Sequence, residues 1–144
     1  MASDQVRESI VVTAPVGAVY DTVTSYELYP EWMEEFKEVE VLRRRRDGRA
    51  DTVRYVLSAV GVTMGMTLAY TYGDSRVDWV LVDGDMITVN DGAYEMSANA
   101  DGTTLLTYEL MLETTVPLPG VVRRRFAKRT VNESLRSIKR RAET

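Results

Sequence analysis

Apolar and polar residues alternate with a period of two over most of residues 37–115, and this period is typical of β-strands with one buried face. The alternation is clearest within residues 55–73, which contain no charged side chain. Large side chains occupy every second position in part of that run: Met64, Met66, Leu68, Tyr70 and Tyr72. An uncharged run of this length could also span a membrane. Small residues and threonines at the intervening positions favour a half-buried strand instead.

Pairs of aspartate and glycine divide this region into strands. The pairs at 47–48, 73–74, 83–84 and 101–102 have the chemistry of hairpin turns, and a further turn is expected near Gly61. These turns predict strands near 37–46, 50–60, 62–73, 76–82, 86–99 and 103–115. A turn at the remaining pair, Asp91-Gly92, would leave two stubs, so we interpret it as a bulge or a close-approach glycine within one long strand. Strands joined by tight turns form an antiparallel meander.

The segment before the meander predicts one strand and two short helices. Residues 6–13 are rich in β-branched side chains and are expected to form the first strand. A helix is expected over 14–25, with Pro15 in its first turn and Thr13 as a possible N-cap. A Tyr-Pro pair then restarts a second helix that we expect to end near Phe36, because proline disfavours a helical residue before it.

The segment after the meander predicts a long helix. Residues 116–120 contain two prolines and a glycine, which stop the last strand. From residue 121 to about residue 141, apolar side chains recur every three or four positions. We therefore expect residues 1–144 to form a single α+β domain, in which a seven-stranded antiparallel sheet curls around the terminal helix to cover its apolar face.

Charged residues show which side chains of each predicted strand face inward. Arg54, Asp78, Glu95 and Glu109 are placed outward, and the pattern then puts no Asp, Glu, Lys or Arg on the inner face. The inner face carries these large side chains: Tyr55, Met64, Met66, Tyr70, Tyr72, Trp79, Tyr94, Met96 and Tyr108. A sealed core normally contains fewer tyrosines, because each buried hydroxyl needs a hydrogen-bond partner.

Two interpretations of this face remain open. It could be a plain core, with some tyrosines at strand ends, or the wall of a cavity for a hydrophobic ligand with a few orienting hydroxyls. The second interpretation predicts these ligand-binding residues: Met33, Tyr55, Met64, Met66, Tyr70, Trp79, Tyr94, Met96, Tyr108 and Phe126. Trp32 and Met33 in the second short helix would then either gate the cavity or plug the core.

The composition limits the chemistry that the chain can perform. Cysteine and histidine are absent, which excludes thiol nucleophiles, disulfides, Cys/His metal sites and histidine-based general-base catalysis. Tyrosine alone can polarise a carbonyl group but is a poor base. We predict no catalytic residue, no metal and no cofactor. The N-terminal residues do not have the pattern of a signal peptide, so a cytoplasmic protein is expected.

The net charge of −4 conceals a basic C-terminal segment. Residues 1–122 contain nine basic and twenty acidic side chains, whereas residues 123–144 contain nine basic and two acidic ones. We interpret these charges as the solvated face of an amphipathic helix, with peripheral contact to an anionic membrane as an alternative. The four arginines at 43–46 are interpreted as exposed charge at a strand end, and no nucleic-acid partner is expected.

Several short motifs, taken in order, resemble the START-related helix-grip superfamily, in particular its polyketide cyclase/dehydrase and coenzyme Q-binding branch (SRPBCC). They are residues 10–20, Tyr29-Pro30-Glu31-Trp32, Glu40-Val41-Leu42, Gly48-Arg49, Val77-Asp78-Trp79, Gly92-Ala93-Tyr94, residues 102–104 with Thr107-Tyr108, and Pro117-Leu118-Pro119-Gly120. The resemblance implies a helix-grip fold, with a hydrophobic cavity between the curved sheet and the C-terminal helix. It also implies a ligand of the lipid, quinone, sterol or polyketide class, and ring closure or dehydration in some members.

We therefore expect a protein that binds or carries a hydrophobic small molecule. The alternatives are a polyketide aromatase/cyclase or dehydratase, and a chaperone-like or membrane-docking interaction module. A charge could reach the mouth of the cavity from the third helix, where Arg125, Lys128 and Arg129 are the candidates.

Overall fold

A computed structural model describes residues 4–59, 61–115 and 117–144, without the side chains of Asp4 and Ala59. Val60, expected to end a strand, and Val116, expected in the strand stop, lie outside the described residues. The helices and strands follow the expected order: β1 (Asp4–Val12), α1 (Val16–Thr24), a 3₁₀ turn (Tyr26–Leu28), α2 (Tyr29–Trp32), β2 (Phe36–Arg44), β3 (Ala50–Ala59), β4 (Val62–Tyr72), β5 (Arg76–Gly84), β6 (Ile87–Ala98), β7 (Thr104–Thr114) and α3 (Gly120–Ala142).

The seven strands form one antiparallel sheet in the order β1-β7-β6-β5-β4-β3-β2. Strands β2 to β7 are joined in sequence order as a meander, whereas β1 pairs with the last strand. Asp4 lies opposite Leu112, and Val12 lies opposite Thr104. The first two strands of the sequence are therefore the two edges of the sheet, and the segment that contains α1 and α2 connects them.

The long helix α3 packs on β1, β7 and α1. Its buried residues are Ala127, Val131, Ser134, Leu135 and Ile138, which recur every three or four positions as the sequence pattern predicts. A buried hydrogen bond from the Thr104 hydroxyl to the Ala14 carbonyl (2.7 Å) fixes the chain between β1 and α1. The α+β helix-grip architecture expected from the sequence is confirmed.

Besides shifts of one or two residues at several ends, three details differ from the sequence-based predictions. Helix α1 starts at Val16 with Pro15 as its N-cap, so Thr13 does not cap it. Helix α2 ends at Trp32, and Phe36 begins β2 instead of ending a helix. The turn expected at residues 83–84 lies two residues later, at residues 85–86, because β5 continues through Gly84.

The turn at residues 85–86 contains the single non-glycine residue with positive φ among the described residues, Met86 at 65°. Gly48, Gly61 and Gly102 also have positive φ, and each lies in a turn that the sequence predicts. Within the described part of the chain, none of the helices is apolar over a length sufficient to cross a bilayer.

Candidate functional site

The inner face of the sheet contains the large side chains that the alternation predicts. Eight of the nine are buried, each with 9% exposure or less: Tyr55, Met64, Met66, Tyr70, Trp79, Tyr94, Met96 and Tyr108. Tyr72, at the end of β4, is half-buried. The two predicted site residues outside the sheet also belong to this interior: Met33 is 1% exposed, and Phe126 of α3 is half-buried against the core.

Aromatic rings form a continuous path across this interior. At one end, the rings of Tyr26 and Tyr70 lie 4.3 Å apart, and those of Tyr29 and Tyr55 lie 6.3 Å apart. The path continues through Trp79, whose ring lies 6.1 Å from Tyr70. At the other end, Tyr94 and Tyr108 lie 4.6 Å apart, and each contacts Trp79. Such offset and edge contacts stabilise the rings beyond the burial of their surface.

The hydroxyl groups of these tyrosines bond to one another and to the backbone. The hydroxyls of Tyr55 and Tyr70 lie 2.5 Å apart, and those of Tyr26 and Tyr72 lie 3.0 Å apart. Tyr29 donates to the carbonyl of Val23. Burial raises the pKa of Tyr26, Tyr29, Tyr55, Tyr70, Tyr94 and Tyr108, so these phenols remain protonated hydrogen-bond donors at neutral pH.

Trp79 is held in the centre of the interior by a glycine and an asparagine. A Cβ added to Gly92 would lie 2.5 Å from Cζ2 of Trp79, so the indole occupies the space that a side chain would need. This confirms the close approach inferred from the Asp91-Gly92 pair. The indole Nε1 donates to Oδ1 of Asn90 (3.0 Å), whose amide nitrogen lies 3.3 Å from the Met66 sulfur. The sequence does not single out Asn90, because an isolated half-buried asparagine carries no periodic signal.

Glu8 corrects the prediction of an inner face without charge, and the loop residue Glu35 adds a second half-buried carboxylate. Glu8 of β1 is half-buried on the same side of its strand as Ile10 and Val12, and lies opposite Tyr108 in the sheet. Glu35, in the loop between α2 and β2, has its pKa raised, first by burial and then by the charge of Glu133.

After burial, the charge of the Glu35 carboxylate is a further cause of the raised pKa values of Tyr94 and Tyr108. Glu8 was missed because charge was assumed to face outward. Glu35 was missed because strand alternation says nothing about a loop residue.

The three basic residues proposed at the cavity mouth lie at the surface. Arg125 is exposed. Lys128 pairs with Glu8 (3.8 Å), and Arg129 pairs with Glu133 (3.0 Å) on the same helix. Their side chains do not enter the aromatic interior. Contact of this basic helix with an anionic membrane, and the absence of a nucleic-acid partner, stay predictions.

The family of the chain is shown by its sequence. The sequence profile described as "Polyketide cyclase / dehydrase and lipid transport" matches residues 12–139. The chain belongs to this family. It is thereby a member of the START-related helix-grip superfamily, whose fold binds hydrophobic ligands. A search of curated protein sequences finds no significant match.

Solved structures share the fold of this chain. A START superfamily protein from Mycobacterium smegmatis is 25% identical, with a TM-score of 0.90, over 96% of this chain and 97% of that one. The ZhuI aromatase/cyclase from a Streptomyces species is 15% identical, with a TM-score of 0.81, over 99% and 94% of the two chains. The di-domain aromatase/cyclase StfQ of steffimycin biosynthesis is 14% identical, with a TM-score of 0.68, over 96% of this chain and 43% of its own.

An open cleft lies at one end of the interior of this polyketide cyclase/dehydrase family member. It has a volume of about 520 Å³ and is lined by α1, the 3₁₀ turn, β2, the turn at residues 47–49, Ala50 and Tyr72. The aromatic side chains of the inner face lie in the region where the sequence predicts a cavity between sheet and α3. The hydroxyl contact between Tyr26 and Tyr72 lies between the cleft and that interior.

No group of three or more acidic side chains lies close enough to hold a metal ion within the residues that the structure describes. The polar groups that the structure describes in and around the interior include the phenol hydroxyls, the Asn90 amide and the half-buried carboxylates of Glu8 and Glu35.

Proposed function

We propose that this chain binds or carries a hydrophobic small molecule, such as a quinone, an acyl lipid or a polyketide-like compound, between its sheet and α3. The observation that carries the proposal is the composition of the buried inner face of the sheet, which includes four tyrosines, three methionines and one tryptophan. Methionine adapts to irregular apolar shapes, and the phenols supply donors that orient a polar atom of a ligand.

The hydrogen bonds of the interior can be exchanged for bonds to a ligand. Tyr55 and Tyr70 satisfy each other's hydroxyl groups, so a ligand carbonyl that accepts from either one replaces one hydrogen bond by another. Such an exchange costs little free energy, because the number of hydrogen bonds is conserved. Binding energy then comes from apolar burial, at about 25 cal/mol per Å² of surface removed from water.

The short segment between Tyr26 and Met33 is the element that we expect to move when the ligand enters. Its rings, not α3, cover this end of the sheet, since Tyr26 lies on Tyr70 and Tyr29 lies on Tyr55. A 3₁₀ turn and a single helical turn contain few backbone hydrogen bonds to break. This supports the gate interpretation of Trp32 and Met33 over that of a fixed plug.

Direct binding measurements test the proposal. The protein is titrated with decylubiquinone, oleate and 1,8-dihydroxyanthraquinone, and tryptophan fluorescence, to which the central Trp79 contributes, is followed. We expect saturable binding of at least one compound, weakened about fivefold by Tyr55→Phe or Tyr94→Phe, which each remove one donor. Thr71→Val is the control, since it removes a hydroxyl group from an exposed position of β4 that lines neither the aromatic interior nor the cleft. The proposal is wrong if none of the three compounds binds and native mass spectrometry of protein from its own host shows no bound lipid or quinone.

A second candidate function is a polyketide aromatase/cyclase or dehydratase. It is favoured by Glu35, since a carboxyl whose pKa is raised by burial is suited to proton transfer, with Tyr94 and Tyr108 available to stabilise an enolate. Turnover of a poly-β-ketone that is lost in Glu35→Gln and retained in the neighbouring exposed variant Glu34→Gln would establish this activity. Absence of turnover with intact binding would leave the carrier function as the conclusion.

A further inference from the structure

The open cleft has features of a binding site in its own right. Its volume of about 520 Å³ lies within the range of small-molecule sites. Three tyrosines, Tyr20, Tyr26 and Tyr72, form part of its wall, and two of them are held in place by hydrogen bonds to the backbone. Tyr72 donates to the carbonyl of Ala50 (2.6 Å), and Tyr20 donates to that of Gly73 (3.2 Å). The half-buried side chain of Val41 and the exposed side chain of Leu28 add apolar surface.

Two arginines face this cleft, and the surrounding side chains position them. The guanidinium of Arg49 lies over the rings of both Tyr20 (5.9 Å) and Tyr72 (5.2 Å). Arg44 donates to the carbonyl of Gly48 (3.1 Å) and pairs with Glu27 (2.6 Å). A guanidinium whose orientation is fixed loses less entropy when it binds a carboxylate through two parallel hydrogen bonds.

We propose that this cleft binds a small organic anion, specifically a carboxylate attached to a flat apolar body. The carboxylate bonds to the guanidinium groups of Arg44 and Arg49. The flat body lies against Tyr20, Tyr72 and the apolar wall. Nothing in the proposed function of the interior requires this site, and it stands whether or not the interior binds a ligand.

The acidic residues of the cleft compete with this anion for the two arginines. Glu27 pairs with Arg44 (2.6 Å), and Asp47 pairs with Arg49 (3.8 Å), and both pairs are about half exposed to solvent. Exposed ion pairs contribute little to stability, so an external carboxylate can replace either partner at small cost. Removing these two carboxylates should therefore strengthen binding of the anion, an effect that nonspecific adsorption of an apolar compound would not show.

Isothermal titration with 2-naphthoate tests the proposal, with the neutral isostere 2-naphthamide as the control ligand. We expect saturable binding of 2-naphthoate, at least tenfold weaker binding of the amide, and chemical-shift changes confined to the amides of Gly48, Arg49 and their neighbours. Arg49→Gln should weaken 2-naphthoate about tenfold or more, since it removes hydrogen bonds from a charged donor. Arg54→Gln, an exposed arginine on β3 outside the cleft, should leave the affinity unchanged.

The double variant Glu27→Gln/Asp47→Asn keeps the proposal testable even if the arginine variants fold poorly. It should bind 2-naphthoate about two to five times more tightly than the unmodified protein. Equal affinity for the acid and the amide would overturn the proposal. The proposal would also be overturned if Arg49→Gln and the double variant both bound 2-naphthoate with the affinity of the unmodified protein.

Discussion

Gly92 illustrates how far a single residue can be understood from the sequence. Its place next to Asp91 suggested a turn, and only the length of the flanking segments indicated a glycine inside a strand. The structure adds the reason: a Cβ at this position would meet the Trp79 indole on one side and, at 2.6 Å, the Glu109 carbonyl oxygen on the other. The hydrogen bond from Trp79 to Asn90 could not be predicted, because it joins residues of neighbouring strands and leaves no pattern along the chain.

We expect Gly92→Ala to destabilise the protein by about 1–3 kcal/mol, since an added methyl group overlaps a tryptophan and a backbone oxygen that cannot move independently. Urea unfolding measures the loss. Gly65→Ala in β4 is the matched control, because its nearest new contact would be 3.8 Å away, and it should be neutral or slightly stabilising. Equal stability of the two variants would contradict this account of Gly92.

The hydroxyl pair of Tyr55 and Tyr70 predicts non-additive mutations. Tyr55→Phe and Tyr70→Phe should each cost about 1–3 kcal/mol, because each leaves one buried hydroxyl without its partner. The double variant should be at least as stable as the less stable of the two single variants, since it leaves no buried hydroxyl without a partner. Equilibrium unfolding of all four proteins gives the coupling energy, and strictly additive losses would show that the two hydroxyls do not depend on each other.

At the scale of elements, period and turn chemistry predict most strands to within one or two residues. The failures share one physical cause, which is that local signals do not record tertiary contacts. Gly84 was expected in a turn but is the last residue of β5, where an added Cβ would overlap the Ile87 carbonyl oxygen. The turn that follows contains Met86, which has a positive φ. Phe36 packs its ring on Tyr29 and Tyr55, and it does so from a strand instead of a helix.

The C-terminal end of α3 is attached to the end of β1 by charged groups that the hydrophobic pattern does not identify. Oε2 of Glu143 accepts hydrogen bonds from the Thr13 amide (2.7 Å) and from Lys139 (2.5 Å), and Lys139 also donates to the Val11 carbonyl (2.9 Å). The hydrogen bond from Lys139, followed by that from Thr13, lowers the pKa of Glu143. The attachment is therefore present above the usual pKa of a glutamate and is lost as the pH falls through the lowered value.

We expect Glu143→Ala to reduce the protection of the Thr13 amide from hydrogen exchange at neutral pH, with little change in amides at the centre of the sheet. The difference from the unmodified protein should vanish at a pH below the lowered pKa of Glu143. Glu40→Ala, an exposed glutamate on β2, is the control. Unchanged protection of Thr13 in Glu143→Ala would show that the carboxylate does not hold this end of the helix.

At the scale of the whole molecule, the sequence predicts the family, the fold and the position of the aromatic interior, but not how tightly that interior is packed. Whether a tyrosine-rich face encloses a cavity depends on the distance between the sheet and the helices packed opposite it. The alternation of residues along a strand contains no information about that distance. The open cleft was likewise not predicted, because it is formed by α1, the 3₁₀ turn and the hairpin of β2 and β3 together. The four arginines at 43–46 were correctly placed at an exposed strand end.

The buried phenols predict a loss of stability in alkaline solution. The six buried tyrosines and the half-buried Tyr72 have a raised pKa in the folded protein, chiefly because burial penalises the phenolate. In the unfolded chain the same phenols ionise near the ordinary tyrosine pKa of about 10. The folded state therefore holds more protons above about pH 10, and the free energy of unfolding falls as the pH rises. Each such tyrosine lowers it by about 1.4 kcal/mol per pH unit.

Urea unfolding between about pH 8 and pH 11.5, followed with phenolate absorbance, measures this dependence. Stability should be nearly constant below about pH 9 and should then fall steeply, with phenolate appearing together with unfolding. Tyr108→Phe should reduce the slope of the unfolding free energy against pH by the equivalent of about one proton, or about 1.4 kcal/mol per pH unit. Ionisation of the buried tyrosines near pH 10 without loss of near-ultraviolet circular dichroism would contradict the burial described here.

The pairing of β1 with β7 has a consequence for the synthesis of the protein on the ribosome. Asp4 pairs with Leu112 and Val12 pairs with Thr104, so β1 cannot pair until β7 has been synthesised. Every other strand has a partner immediately before or after it in the chain. At about 5–20 residues per second, β1 remains without its partner for on the order of ten seconds. During that interval Val6, Ile10 and Val12 have neither β7 nor α3 to cover them. The nascent chain thus exposes the apolar face of an unpaired strand until β7 emerges, and during synthesis β1 is the strand most open to pairing with a wrong partner.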